Sequence, residues 1–158
     1  MNRQELIDTL KLVPLENEGG FVREVYRGEM KDGRQTYSTI LYLLTGECCS
    51  IMHRLDADEI WYHHEGPALE MLLIYEDHDE VVYLGKDLLH GERPQVRVPK
   101  GVWQGCRMAH EGEYTLVSTS MSPAYDEEHF EAGSYDRLKE KTSHTDLLKA
   151  LSGRPVSK

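Results

Sequence analysis

The hydrophobic residues of this chain lie mainly in short runs that are rich in β-branched and aromatic residues and are separated by polar turn sequences. The runs between Gly20 and Met121 are VREVYRG, TYSTILYLLT, CCSIMHRL, EIWYHHEG, ALEMLLIY, EVVYLGKD, PQVRVP and EYTLVSTSM. Turn-forming sequences such as Lys31-Asp32-Gly33 lie between them. Many short strands with no long helix between them predict an all-β sandwich or barrel.

Short helices are predicted at the two ends of the chain. Asn2 and Glu5 have the spacing of a capping box, and the apolar residues that follow recur at helical spacing as far as Val13. Pro14 is expected to end this helix. A second short helix is predicted at residues 145–151, TDLLKAL, and we expect it to pack on the outside of the barrel or on a partner subunit.

Length, charge and cysteine content limit the classes of protein to which the chain can belong. A chain of 158 residues has the size of one ordinary domain, so we expect a single domain over residues 1–158. The net charge of −10 disfavours binding to nucleic acid. Three cysteines, of which Cys48 and Cys49 are adjacent, indicate a reducing compartment. Since no membrane span or signal-peptide core is recognisable, we expect a cytoplasmic protein that does not contact a membrane.

The segment between Gly46 and Gly66, GECCSIMHRLDADEIWYHHEG, carries the strongest functional signal. It resembles the first signature of the cupin superfamily, in which a Gly is followed by H-x-H-x-x-x-E and a closing Gly. His53 and Glu59 stand at the first His position and the Glu position, whereas Leu55 replaces the second His. The second cupin signature, P-x-G-x-x-H, is matched by residues 99–104, in which an amide replaces the last His.

The resemblance narrows to the small single-domain cupins of unknown function. Four blocks occur in the order of that branch: EGGF at 18–21, HRLDADEIW at 53–61, VPKGVWQ at 98–104 and SPAYDEEHFE at 122–131. Within the last block, Tyr125 stands where the branch has Phe. The resemblance implies a double-stranded β-helix, or jelly roll.

Strand alternation predicts which side chains share the interior of this barrel. If His53 and Glu59 point inward, their neighbours two residues away do so as well. The expected pocket then contains His53 and Glu59 as catalytic residues, with Ile51, Trp61, His63, Gln104 and Cys106 as ligand-binding residues. A mostly apolar pocket with a few convergent polar groups is typical of a small-molecule site.

A purely structural interpretation of the central pair stays open. His53 and Glu59 could form a buried hydrogen bond that only ties two strands together. We favour a site, because a buried carboxylate costs several kcal/mol unless it is paired and such groups persist mainly at functional sites. The nine tyrosines include possible acids, but the sequence does not indicate which one faces the pocket.

The ligand set for a transition metal is incomplete, because a catalytic centre of this kind usually takes about three imidazole, thiolate or carboxylate ligands. We therefore expect no bound metal and assign no cofactor. If a divalent metal were present, its candidate ligands would be His53, Glu59, Gln104 and His63.

Two classes of function remain open, both with a small-molecule ligand. The resemblance implies binding of a carbohydrate-like or keto molecule and a metal-independent isomerase or epimerase, in which His53 held by Glu59 acts as base and a tyrosine as acid. The alternative is a non-catalytic binding or sensing cupin, and a metal-dependent oxygenase ranks third. We expect a homodimer, since the run FVREVYRG would need covering at a sheet edge.

Overall fold

The computed structural model describes residues 1–158 and contains thirteen strands and three short α-helices. The strands are β1 (Val13–Pro14), β2 (Phe21–Arg27), β3 (Met30–Lys31), β4 (Arg34–Gln35), β5 (Ser38–Leu44), β6 (Ser50–Arg54), β7 (Glu59–Glu65), β8 (Leu69–Ile74), β9 (Asp79–Leu84), β10 (Gln95–Val98), β11 (Trp103–Met108), β12 (Thr115–Met121) and β13 (Glu131–Ala132). The helices are α1 (Arg3–Leu10), α2 (Tyr135–Leu138) and α3 (Thr145–Ala150).

Two antiparallel sheets form the body of the molecule. The first has the strand order β1-β2-β5-β12-β7-β10 and the second the order β13-β6-β11-β8-β9, while β3 and β4 form a separate hairpin. Strands β5 and β6 are consecutive in the chain but lie in different sheets, and so do β6 and β7. This alternation between two sheets is the topology of a jelly roll. The predicted all-β jelly roll with short terminal helices is therefore confirmed.

The main core lies between the two sheets, and the helices cover apolar residues outside it. The buried residues of the main core are Tyr42, Leu44, Cys48, Trp61, Leu69, Met71, Leu73, Leu84, Val98, Val102, Cys106 and Val117. Leu138 of α2 and Leu148 of α3 pack with Met52 and Trp103 in a second cluster. The expected packing of the C-terminal helix on the outside of the barrel is thus observed, because its Leu side chains cover one face of the smaller sheet.

The N-terminal helix begins as predicted but ends earlier. Asn2 and Glu5 form the capping box, with both reciprocal hydrogen bonds present. The helix ends at Leu10 because Lys11 adopts a left-handed conformation with φ 56°. The extension of this helix to Val13 was wrong, since Val13 lies in β1 and pairs with β2. None of the helices combines the length and the apolar character that a membrane-spanning helix requires.

One long strand edge is left partly unpaired. Strand β1 pairs only with the first two residues of β2, and Val25 and Tyr26 further along β2 are more than half exposed. A second chain could cover such an edge. The homodimer stays a prediction.

Candidate functional site

A cavity of about 150 Å³ opens between the sheets beside the first residues of β7. Its wall is largely apolar and includes Leu15, Val22, Ile40, Tyr42, Trp61 and Met121. Two carboxylates, Glu18 and Glu59, reach the same cavity, and Glu24 contributes a third. The cavity therefore combines apolar walls with acidic groups, as expected of a site for a small polar molecule.

Glu59 is the most perturbed acid of the cavity. It is the first residue of β7 and is only 6% exposed. Burial and, to a smaller extent, the neighbouring Glu18 carboxylate raise its pKa to about 7, although His53 and hydrogen bonds from Thr119 and Gln104 act in the opposite direction. A carboxyl group with a pKa near neutrality can both accept and release a proton under physiological conditions.

A chain of hydrogen bonds fixes the orientation of Glu59. The indole Nε1 of Trp61 donates to Gln104 Oε1 over 3.0 Å, and Gln104 Nε2 donates to Glu59 Oε1 over 3.0 Å. Because an indole N–H can only donate, the amide of Gln104 must present its oxygen to Trp61 and its nitrogen to Glu59. Trp61 thus determines, through Gln104, that Glu59 receives a donor.

His53 lies in β6 and is completely buried. Its Nδ1 is 2.6 Å from the carbonyl oxygen of Ile51, and because a carbonyl can only accept, Nδ1 carries the proton. Its Nε2 lies 3.4 Å from Glu18 Oε1 and has no partner in hydrogen-bonding geometry. Phe130 stacks on the ring, with centroids 5.1 Å apart. The ring nitrogen of His53 that has no hydrogen-bonding partner, Nε2, therefore faces Glu18.

Glu18 is the residue of this site that the sequence reasoning did not select. Its side chain is 12% exposed and accepts a hydrogen bond from Ser50 Oγ over 2.8 Å. The loop is fixed by the following Gly19, where φ is +103° and a Cβ atom would lie 2.3 Å from the carbonyl oxygen of Cys49. The Glu-Gly-Gly-Phe block was the available signal, because those glycines permit the close approach that brings Glu18 to His53.

The structure does not contain the expected direct hydrogen bond between His53 and Glu59. The polar neighbours of His53 are Glu18 and the Ile51 carbonyl, while Glu59 is bonded to Gln104. Glu59 and His53 interact only electrostatically, as the downward effect of His53 on the pKa of Glu59 indicates. Glu18 is therefore the carboxylate next to His53, a position that we had expected Glu59 to occupy.

A register shift in β6 changes which side chains share the interior. Gln104 of β11 is opposite His53, but Cys106 is opposite Ser50, so one extra residue lies on β6 between the two pairs. Strict alternation through Ile51 therefore fails, and Ser50 takes an inward position. Ile51 is buried but does not line the cavity, and it contributes its carbonyl to His53.

Cys106 and His63 are also outside the cavity wall. Cys106 is buried in the main core, where burial raises the pKa of its thiol well above the usual range. His63 lies four residues beyond Glu59 on β7, and its Nε2 is 3.0 Å from the Gly66 carbonyl oxygen and 3.3 Å from that of Pro67. The structure thus places Glu59 and Trp61 in the cavity wall, whereas Gln104, expected to bind the ligand, lies outside the wall as the hydrogen-bonding partner of both. His63 lies toward the other end of the strand.

Two tyrosines reach the cavity, Tyr42 and Tyr125. The Tyr42 hydroxyl donates to the carbonyl oxygen of Gly19 and is therefore engaged. The Tyr125 hydroxyl accepts from Asn17 Nδ2 over 3.0 Å, which leaves its own proton available. Burial raises the pKa of Tyr125 to about 12, so it stays protonated at neutral pH. Tyr125 is the tyrosine that the sequence could not identify.

The residues at the metal-ligand positions do not fit a transition-metal centre. Leu55 supplies no donor, and both ends of the Gln104 amide are engaged by Trp61 and Glu59. No group of three or more His, Cys, Asp and Glu side chains is arranged to hold a metal ion.

Comparisons with known proteins agree with this architecture. The family model "Cupin superfamily (DUF985)" matches residues 4–133. A protein from Shewanella oneidensis is 38% identical, with a TM-score of 0.89 and coverage of 98% of this chain and 99% of its own. A hypothetical protein from Leishmania major is 30% identical, with a TM-score of 0.86 and coverage of 96% and 99%.

A more distant likeness concerns the fold alone. Oxalate decarboxylase from Bacillus subtilis is 14% identical, with a TM-score of 0.58, and the match covers 89% of this chain and 37% of that one. No curated protein matches the sequence significantly. The match of the family model over most of the chain, together with the two full-length structural relatives, shows that the chain belongs to the cupin superfamily, in the DUF985 family.

Proposed function

We propose that the protein binds a small molecule of the carbohydrate-like or keto class in the cavity between the sheets and moves a proton on it, as an isomerase or epimerase. The observation that carries the proposal is that an ionisable carboxyl group and a protonated phenol, Glu59 and Tyr125, line the same apolar cavity. An acid and a base within one pocket are the minimum that proton transfer next to a carbonyl requires.

The proposed step is balanced by these two groups. The Glu59 carboxylate removes a proton from the carbon next to the carbonyl, and the electron pair of the broken C–H bond moves onto the carbonyl oxygen. The Tyr125 hydroxyl donates a hydrogen bond to that oxygen and stabilises its charge. Return of the proton to the other face of the same carbon gives the epimer. Return of the proton to the former carbonyl carbon gives the isomer, while the proton of the neighbouring substrate hydroxyl moves to the former carbonyl oxygen through the Tyr125 hydroxyl.

His53 acts through Glu18 in this scheme. Its Nε2 faces Glu18 at 3.4 Å, so His53 helps to fix where that carboxylate lies. Across the cavity, Glu18 raises the pKa of Glu59 and His53 lowers it. His53 and Glu18 are positioning residues, whereas Glu59 and Tyr125 are the proposed catalytic ones.

A non-catalytic binding protein is the second candidate, and the size of the cavity favours it. A volume of about 150 Å³ is close to that of cavities that hold a benzene-sized ligand and below the range of drug-sized sites, about 300–1,000 Å³. A ligand of this size leaves little room for the movement that an epimerisation requires.

Proton exchange in heavy water separates the two candidates. The protein is incubated with dihydroxyacetone or glyceraldehyde in D₂O, and deuterium at the carbon next to the carbonyl is followed by NMR. We expect exchange above the buffer rate in the wild type and its loss in Glu59→Gln and Tyr125→Phe, with the exposed Tyr26→Phe as matched control. Binding of these compounds without exchange would favour the non-catalytic protein, and neither binding nor exchange would overturn both candidates for this ligand class.

A further inference from the structure

We infer that the ligand of this cavity carries a positive charge: a compact organic cation in which a primary ammonium group is attached to a small apolar body, such as an amino ketone or an amino alcohol. This inference rests on the proposed binding function and narrows its ligand class: an amino ketone keeps the carbonyl that the proton transfer needs, whereas a neutral sugar with several hydroxyls fits the wall less well. It follows from the charges of the wall, the hydrogen-bonding capacity of the wall and the aromatic groups beside it.

The charges of the wall are one-sided. Three glutamates line the cavity and no Lys, Arg or His side chain does. Glu24 is neutralised by Arg27, whose guanidinium also donates to the Tyr125 carbonyl oxygen over 2.6 Å. Glu59, by contrast, has only neutral hydrogen-bonding partners, the side chains of Gln104 and Thr119. A cation bound here would meet an acid that has no positive partner of its own.

An anionic ligand is disfavoured for the same reason. A carboxylate or phosphate group in this cavity would lie beside Glu18 and Glu59 with no guanidinium or ammonium group in the wall to offset the repulsion. Since the interior is partly shielded from water, such repulsion is screened less than on the surface. Keto acids and sugar phosphates therefore fit poorly.

A neutral polyol is disfavoured by the few free hydrogen-bonding groups in the wall. Ser38 Oγ already accepts from the backbone nitrogen of Tyr125 over 2.8 Å, and Thr39 Oγ1 donates to the Thr119 carbonyl oxygen over 3.0 Å. A buried hydroxyl without a partner costs about 1–3 kcal/mol, so a ligand with several hydroxyls would leave some unsatisfied. An ammonium group has only donors, and carboxylate oxygens only accept.

The remaining wall suits the apolar body of such a cation. Tyr42 and Trp61 both line the cavity and pack edge to face, with centroids 5.9 Å apart and an interplanar angle of 66°. Aromatic rings attract cations through their electron-rich faces. The volume of about 150 Å³ limits the body to a few carbon atoms.

A series of three compounds with one shape and different charge tests the inference. The purified full chain is titrated at pH 8 and fixed ionic strength with 2-methylpropylammonium chloride, with 2-methylpropan-1-ol and with sodium 2-methylpropanoate, and binding is followed by NMR chemical shifts. We expect the amine to bind about tenfold more tightly than the alcohol, because a charge-assisted hydrogen bond replaces a neutral one, and the carboxylate to bind more weakly than either.

Two variants test whether a carboxylate of the cavity wall causes the preference for the amine. Glu59→Gln is expected to reduce the amine-to-alcohol ratio to about one, since the charge is removed while the acceptor oxygen stays. Glu16→Gln makes the same charge change at an exposed position outside the cavity wall and is expected to keep the wild-type ratio. If Glu59→Gln does not fold, Glu18→Gln, which also removes a wall carboxylate, replaces it.

The outcomes distinguish this inference from the proposed function. Equal binding of amine and alcohol, tighter binding of the carboxylate, or an unchanged ratio in the cavity variant that is tested would overturn the inference while leaving binding in the cavity intact. Binding of none of the three compounds to the wild type would also overturn it, and the proton-exchange experiment then decides the proposed function separately.

Discussion

The two ends of strand β7 differ in what surrounds their titratable side chains. At its start, Glu59 lines a cavity together with Glu18, a second carboxylate that raises the pKa of Glu59. Toward its end, His63 faces the backbone carbonyls of Gly66 and Pro67, and its Nδ1 is buried without a partner. Strand alternation predicted an inward-pointing side chain at both positions.

The difference between the ends shows what makes a buried titratable residue a candidate for chemistry. A carbonyl oxygen can accept a hydrogen bond but cannot take up or release a proton at neutral pH, whereas a carboxylate whose pKa is raised toward 7 can do both. His63 is therefore suited to fixing a turn, because its neighbours cannot exchange a proton with it. Glu59, with a pKa of about 7 and an open cavity beside it, is suited to exchange.

The largest expected effect concerns the dependence of stability on pH at Glu59. Its pKa is about 7 in the folded protein and 4.5 as the reference, and it faces Glu18, His53, Tyr125 and Cys106. Because the folded-state pKa is raised, the contribution of Glu59 to stability is complete below pH 4.5 and is lost as the pH rises through 7. The loss corresponds to roughly 3 kcal/mol.

The variant Glu59→Gln removes this dependence and is measured by urea unfolding between pH 4.5 and pH 8.5. We expect the variant to gain stability relative to the wild type as the pH rises, with little difference at the acidic end. Glu16→Gln serves as control because its side chain is exposed. Parallel stability profiles of Glu59→Gln and wild type would show that Glu59 is not desolvated in solution.

The second prediction compares the two histidines by proton exchange on dihydroxyacetone. We expect Glu59→Gln to lower the exchange rate about a hundredfold and His53→Ala about tenfold, because a general base contributes more than a residue that acts through Glu18. The double variant should lose much less than the product of the two factors, since coupled residues are not additive. His63→Ala should retain the wild-type rate.

The pH profile gives a readout that a purely structural role of His53 would not change. We expect the wild-type rate to rise with pH through a pKa near 7. The His53→Ala profile should be displaced to higher pH, because His53 lowers the pKa of Glu59. Unchanged profiles, or an equal loss of rate in His53→Ala and His63→Ala with the fold intact, would remove the distinction between the two ends of β7.

The third prediction concerns Gln104, which connects Trp61 to Glu59. Gln104→Leu leaves the Trp61 N–H and a Glu59 oxygen without their partners, so the free energy of unfolding should fall by about 2 kcal/mol. Gln95→Leu at an exposed position on β10 is the control, with an expected change within about 0.5 kcal/mol. Chemical denaturation at pH 7 measures both, and equal stabilities of the two variants would contradict the role of the hydrogen-bonded chain.

The smallest expected effect is that of metal removal. Neither end of β7 offers three strong ligands in one place, so elemental analysis of the native protein should give no stoichiometric transition metal, and a chelator should leave its thermal stability unchanged. About one equivalent of metal per chain, lost in His53→Ala and retained in His63→Ala, would contradict this prediction and make His53 a ligand.

Sequence reasoning was most successful where the signal is local. The capping box at Asn2, the alternation of strands and turns, and the inward positions of Glu59 and Trp61 could be predicted, because each depends on neighbouring residues or on a family motif. The short helix α2 was missed since only Leu138 of its four residues is buried, which leaves no periodic pattern to detect.

The tertiary structure alone decided which acid lies beside His53. Glu18 and His53 are far apart in the chain, and their meeting depends on a glycine loop and on an extra residue in β6 that breaks the alternation of side chains. Tyr125 likewise enters the cavity from a segment that is held by Arg27 and Asn17. The sequence by itself determined the barrel and the residue types within it. Only long-range packing determined their partners, because alternation fixes the face of a side chain and not what it meets there.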